Sequence, residues 1–236
     1  MKRAKQLGIS ELSMKRYHIP NKGADTANLP KAFALGLKLC EQYGVNKLTL
    51  VVPSKGELSR TIIGKFLGEA ASKQLMAGKA VVLSENVEIY CESPKSLKNR
   101  SEPDVVLAFY ISTDGLNVID SLHGTHAVIF VPWIDAEGVA WQHTWNAEIP
   151  GQATIKTVPN LNPAVEDGLK SLTNSINLST GLSHPSDMRD AKKLFSDLHA
   201  SHMTYDPKEI RVWAVRNGWL PNDADELMQL AARYLE

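Results

Sequence analysis

Residues 47–76 read KLTLVVPSKGELSRTIIGKFLGEAASKQLM, and the reading of this stretch decides the fold. Residues 48–52 form a short apolar run with β-branched side chains, stopped by Pro53, as suits a strand covered on both faces. Ser54-Lys55-Gly56-Glu57 follows, and a Ser with a Glu three residues later is a capping box that predicts a helix start. Leu58, Ile62, Phe66, Ala70 and Ala71 then recur at helical spacing and predict one long helix to about Met76. Strand, tight loop and helix open a βαβ unit, and sheets built from such units bind ligands beyond the carboxyl ends of their strands.

The flanking sequence extends this pattern in both directions. Asn28-Leu29-Pro30 predicts a helix with Asn28 as its N-cap, ended by Gly44. After Gly78, residues 80–83 and 87–91 are short strand candidates, one hairpin or one interrupted strand. The polar stretch 93–103 holds two prolines and reads as a loop, its Lys95, Lys98 and Arg100 solvated. DVVLAFY at 104–110 and HAVIFV at 126–131 are buried strands, separated by a turn and a short helix over 116–122. Residues 137–147 fit a helix better than a strand because the preceding strand needs a crossover, and alternating ATIKTV at 153–158 fits an edge strand. The expectation is a mostly parallel, doubly wound (Rossmann-like) α/β sheet of about four or five strands over 23–158. Pro159-Asn160-Leu161-Asn162-Pro163 marks the boundary to an all-helical domain over 159–236, with helices expected at 163–176, 186–202, from 207 to Gly218, and after Pro221.

Composition narrows the function classes. Twenty-six basic and twenty-six acidic residues give zero formal charge, against nucleic acid or an anionic membrane as the main partner. Residues 1–22 carry six basic side chains against Glu11, a basic leader that reads as solvated or as an arm for phosphate-rich partners. No apolar run reaches the ~18 residues of a membrane span, and no apolar signal segment follows the basic start. Two cysteines, Cys40 and Cys91, with nothing to pair them, point to a reduced, cytoplasmic setting.

The candidate ligand site gathers residues expected at the carboxyl ends of the strands. Ser54, Lys55 and Gly56 sit at a predicted helix start, where free amides and a partial positive charge attract phosphate or carboxylate. The plain alternative is a simple cap with a solvated lysine, and Glu57 would repel an anion. Ser112, Thr113 and Asp114 follow the next buried strand, and Trp133 and Asp135 follow the last. Two carboxylates, a lysine and an indole wall suit a nucleotide or sugar, while Asp114 and Asp135 also suit turns and caps. Neither a G-x-G-x-x-G fingerprint nor phosphate-loop spacing is present, and Gly181-Leu182-Ser183-His184 is no nucleophile elbow. His199 and His202, one helical turn apart, supply two donors where a metal needs three or four, so no metal or other cofactor is expected.

The tail stretch Ile210-Arg211-Val212-Trp213-Ala214-Val215-Arg216-Asn217-Gly218, followed by a loop and a second helix, resembles the small helix-pair domain of actinobacterial AT-rich-DNA silencers over some 30 residues. In that family an Arg-Gly-Arg in the loop enters the minor groove. Here the loop reads Trp219-Leu220-Pro221-Asn222-Asp223, and residues 203–236 carry four positive and six negative charges, so DNA binding is not carried over. A packing or protein-docking helix pair is the better reading, with Trp213, Trp219 and Tyr234 as core or interface anchors.

Three functional expectations result. The first is binding, with enzymatic turnover left open, of a small phosphate-containing molecule such as a nucleotide at the sheet's carboxyl edge. The second is a non-catalytic interaction or self-association module using the helical tail. The third is a nucleic-acid accessory role for the basic leader.

Overall fold

The computed structural model describes residues 14–97 and 103–235. In chain order its first elements are β1 (Lys15–His18), α1 (Asn28–Tyr43), β2 (Lys47–Val51), a 3-10 helix (Lys55–Arg60), α2 (Ile62–Leu67), α3 (Glu69–Met76), β3 (Val81–Ser84) and β4 (Val87–Glu92). Then come β5 (Asp104–Phe109), α4 (Thr113–Asp120), β6 (Thr125–Val131), α5 (Asp135–Trp145), α6 (Pro163–Ser175), α7 (Pro185–Ala200), α8 (Pro207–Arg216) and α9 (Pro221–Ala232). Among the described residues the sheet has six strands in the order β1-β6-β5-β2-β4-β3. All neighbours pair in parallel except β3, which turns back antiparallel on β4 as a hairpin. The chain is therefore α/β with a mostly parallel sheet and a helical C-terminal region.

The central strands are apolar on both faces because both are covered. Leu48, Leu50, Val105, Leu107 and Ile129 face a core closed by α1, the 3-10 helix, α2 and α3. Val51, Val106, Ala108, Val128 and Phe130 face a second core closed by α4 and α5. Gly36 of α1 lies so close that a Cβ there would stand 3.0 Å from Leu48. At the amino end of the sheet, Asp104 is buried and accepts hydrogen bonds from Thr49 (2.6 Å) and Thr125 (2.8 Å). Three strand starts are thereby tied together.

Several local expectations need correction. Six strands replace the expected four or five. The extra parallel strand is β1, formed by residues counted in the basic leader; residues 1–13 of that leader lie outside the described residues. Arg16 of β1 is inward: its guanidinium meets Asp120 at 2.7 Å and lies 3.5 Å from the Trp145 ring centre. The expected edge strand at 153–158 is irregular chain, with Ile155 and Val158 exposed. The place beyond β6 is taken by β1, whose outer side exchanges backbone bonds with Glu148, both at 2.8 Å.

The long helix after Ser54 is three pieces. Ser54 makes no side-chain cap bond, so no capping box forms. Thr61 caps α2 instead, accepting from Gly64 N–H at 3.1 Å and donating to the Leu58 carbonyl at 2.7 Å. Gly68, at φ 86°, then divides α2 from α3. Asn28 is likewise no cap. Its amide is drawn inward to the Pro20 carbonyl (3.0 Å) and Asn21 (3.1 Å).

The tail helices enclose their own core around Phe195, Trp213, Trp219 and Leu227. Three of them begin with Pro preceded by a side-chain cap: Asn162, His184 and Asp206. α8 and α9 pack on α5 and α4. Arg211 of α8 pairs with Asp225 of α9 and donates to Asn117 (3.0 Å) and Thr144 (3.3 Å). Arg216 binds the carbonyls of His143, Thr144 and Thr157. Both cations of the helix-pair stretch thus face the rest of the protein. No helix among the described residues is long and apolar enough to cross a membrane.

Candidate functional site

Chain direction creates a crevice between β2 and β5. On leaving β2 the chain turns to the face of α2 and α3. On leaving the neighbouring β5 it turns to the opposite face, to α4. Loops diverging from adjacent parallel strands leave a gap at the carboxyl edge, the usual position of ligands in open α/β sheets. A cavity of about 420 Å³ opens there, lined by Pro53, Pro94, Lys95, Tyr110, Ser112 and Asp114 among others. Its size falls within the ~300–1,000 Å³ of small-molecule pockets.

The cavity wall is shaped by one strained residue. Tyr110, the first after β5, adopts φ 59°, a left-handed conformation disfavoured for a bulky side chain. The kink holds its ring edge-on to Trp133 at 5.0 Å and to Phe109 at 5.9 Å. Its hydroxyl is buried and, among the described residues, has no hydrogen-bond partner. Burial, and secondarily the charge of Asp25, hold this phenol above its ordinary range, so it stays protonated at neutral pH. Gly115 is needed beneath: a Cβ there would lie 2.5 Å from Ile111 and 2.9 Å from Pro94. Ser112 stands exposed at the N-cap position of α4 and, among the described residues, its hydroxyl makes no hydrogen bond.

The eight residues expected at this edge divide. Ser112 and Asp114 line the cavity together. Thr113 points the other way, into a cleft shared with α8 and α9. Trp133 is 45% exposed and reaches the site through Tyr110. Asp135 is exposed at the start of α5. Ser54 is exposed, and Gly56 has open space around it with no strained backbone. Lys55 is half-buried, its ammonium 3.8 Å from where a Cβ on Gly78 would lie and close enough to Cys91 to act on that thiol. None of residues 54–56 lines the cavity; Pro53 represents that loop.

Tyr110, Pro94 and Lys95 were missed from sequence. Pro94 and Lys95 reach the edge because β4 pairs in parallel with β2, so both strands exit on the same side. The hairpin-or-interrupted-strand ambiguity hid that direction. Nothing in DVVLAFYIS announces a left-handed tyrosine.

Burial pushes the Cys40 thiol up to about 11 and the Cys91 thiol up to about 12, so neither supplies a thiolate nucleophile at neutral pH. Among the described residues no three His, Cys, Asp or Glu side chains are grouped to hold a metal. His199 instead bonds the Tyr234 carbonyl at 2.7 Å.

A family model described as a domain of unknown function, DUF1889, matches residues 161–236. That span is the four-helix tail. No curated protein and no solved structure matches the chain.

Proposed function

We propose that the sheet is a Rossmann-like ligand domain whose β2–β5 edge receives a small phosphate-bearing molecule such as a nucleotide. The observation that carries this reading is the cavity at the divergence of β2 and β5. Three features support an anionic, part-aromatic ligand. Lys95 stands exposed at the mouth and, among the described residues, enters no ion pair, and the Ser112 hydroxyl and first turn of α4 lie beside it. The Tyr110 ring, backed edge-on by Trp133, supplies an aromatic wall for a base. The backbone strain at Tyr110 is of the kind that collects at ligand sites. Asp114 opposes an anion and would suit a ribose or sugar hydroxyl, so it selects orientation. Lys55 is left to the other side of the β2 loop and takes no direct part.

Titration calorimetry with ATP and with inorganic pyrophosphate tests the assignment. Saturable binding is expected, weakened about tenfold (~1.4 kcal/mol) by Lys95→Ala and left unchanged by Lys55→Ala. Absence of saturation by either compound at millimolar concentration, with the protein folded by circular dichroism, retires it.

A further inference from the structure

A second cavity, unrelated to the β2–β5 edge, lies where the helical tail meets the sheet domain. It measures about 330 Å³ and is walled by α4 and α5 on one side and by α8 and α9 on the other. Junctions between structural units are preferred places for small-molecule sites. Its floor is apolar: Leu116, Trp141, Val212 and Met228. The Trp141 ring is held in place by its indole N–H, which donates to Asp120 at 2.8 Å.

Charge decides what would enter. Four carboxylates line the cavity, from Glu137, Asp206, Glu209 and Asp225, against the two side-chain cations Lys208 and Arg211. Arg211 is spent on Asp225, Asn117 and Thr144. Glu209 accepts from the His143 ring at 3.0 Å and from the Asn160 amide at 2.9 Å. Asp206 caps α8 through the Lys208 amide at 2.8 Å. Glu137 is half-buried and, among the described residues, its carboxylate enters no ion pair or hydrogen bond. Lys208 is exposed at the rim of the cavity. The arrangement is an apolar pocket with a net negative wall and one uncommitted carboxylate. An anion would meet three occupied carboxylates and no free guanidinium. A cation on an apolar body would bury the body against Trp141 and Met228, adding a cation–π or sulfur contact, and would pair its charge with Glu137.

We infer that the cleft between α4–α5 and α8–α9 binds a small organic cation, an amine or guanidine carried on an apolar group, with Glu137 as its counter-ion. Such a ligand touches both halves of the chain at once and would therefore tighten their association as it binds.

The probe is 2-phenylethylamine, with 2-phenylethanol and phenylacetate as its neutral and anionic counterparts. Full-length protein is titrated with each by calorimetry, and the Trp141 indole resonance is followed by NMR. Saturable binding of the amine is expected, with a shift of that resonance. The alcohol and Glu137→Gln should each weaken it about tenfold. Ala140→Phe, on an exposed position of α5 that lines the cavity, should block it. Equal binding of alcohol and amine, preference for phenylacetate, no effect of Glu137→Gln, or no saturation by ten-millimolar amine would each overturn the inference. All four readouts are independent of phosphate binding at the β2–β5 edge.

Discussion

His18 closes β1 with its side chain almost wholly buried, 1% exposed. Its Nε2 has no partner among the described residues, and its Nδ1 reaches Gln142 only at 3.4 Å. Gly138 of α5 exists to make room: a Cβ there would lie 2.1 Å from that Nε2. Burial depresses the imidazole pKa, with Gln142 and Asp135 pulling weakly the other way. A folded-state value below the unfolded ~6.5 means the unfolded chain takes up the proton first. The associated stability is complete above pH ~6.5 and is lost as pH falls towards the folded value. Urea unfolding at stepped pH should show this as a fall of up to about 1.4 kcal/mol per pH unit below 6.5. His18→Gln should flatten that limb; an unchanged slope would assign the acid sensitivity elsewhere. Tyr110 shows the same limit on reading single residues. Its apolar neighbours were legible as a strand, but its left-handed backbone and its edge-on contact with Trp133, 23 residues further on, were not.

Elements were legible where local pattern and tertiary context agree. β2, β5 and β6 are short apolar runs, and such runs end up buried on both faces. All four tail helices carry Pro at the start, and α6, α7 and α8 have a polar cap before it, signals that lie within a few residues. Failures came where a distant partner overrode the local pattern. The run after Ser54 keeps helical spacing but breaks within itself, at Thr61, which caps α2, and at Gly68, with φ 86°; Gly64 lies against the Leu58 carbonyl, where a Cβ would stand 2.0 Å away. β1 reads as part of a basic leader because its Arg16 looks like a solvent charge. Its partner Asp120, with side chain 2% exposed, is 104 residues away. Burial raises the Asp120 carboxyl pKa; Arg16 and the indoles of Trp141 and Trp145 act against that. Arg16→Met should cost about 3–5 kcal/mol by leaving that carboxylate buried without its counter-ion. Adding Asp120→Asn should restore most of the loss, as judged by chemical denaturation. A double variant no better than the single would mean that the cation–π packing of Arg16 on Trp145, and not charge, holds β1.

At the scale of the whole molecule, two separately cored regions meet across a polar seam centred on Arg211 and Arg216. Arg211→Ala should weaken that seam by about 1–3 kcal/mol, since Asn117 and Asp225 lose their shared donor. Two resolved unfolding transitions, one for the sheet and one for the tail, are expected for the variant, against a single transition expected for wild type. A single transition at the wild-type midpoint would show that apolar packing alone couples the regions. By itself the sequence determined the α/β class, the parallel central strands and the helical tail. Each of these rests on periodicity, caps and turn residues, and those act over a few positions. Only the tertiary structure decided that β1 completes the sheet, that Pro94 and Lys95 share the edge with Ser112 while Lys55 turns away, and that α8 and α9 enclose a second cavity against α4 and α5. Those outcomes depend on which distant surfaces can bury one another and neutralise one another's charge, and that is a property of the folded whole.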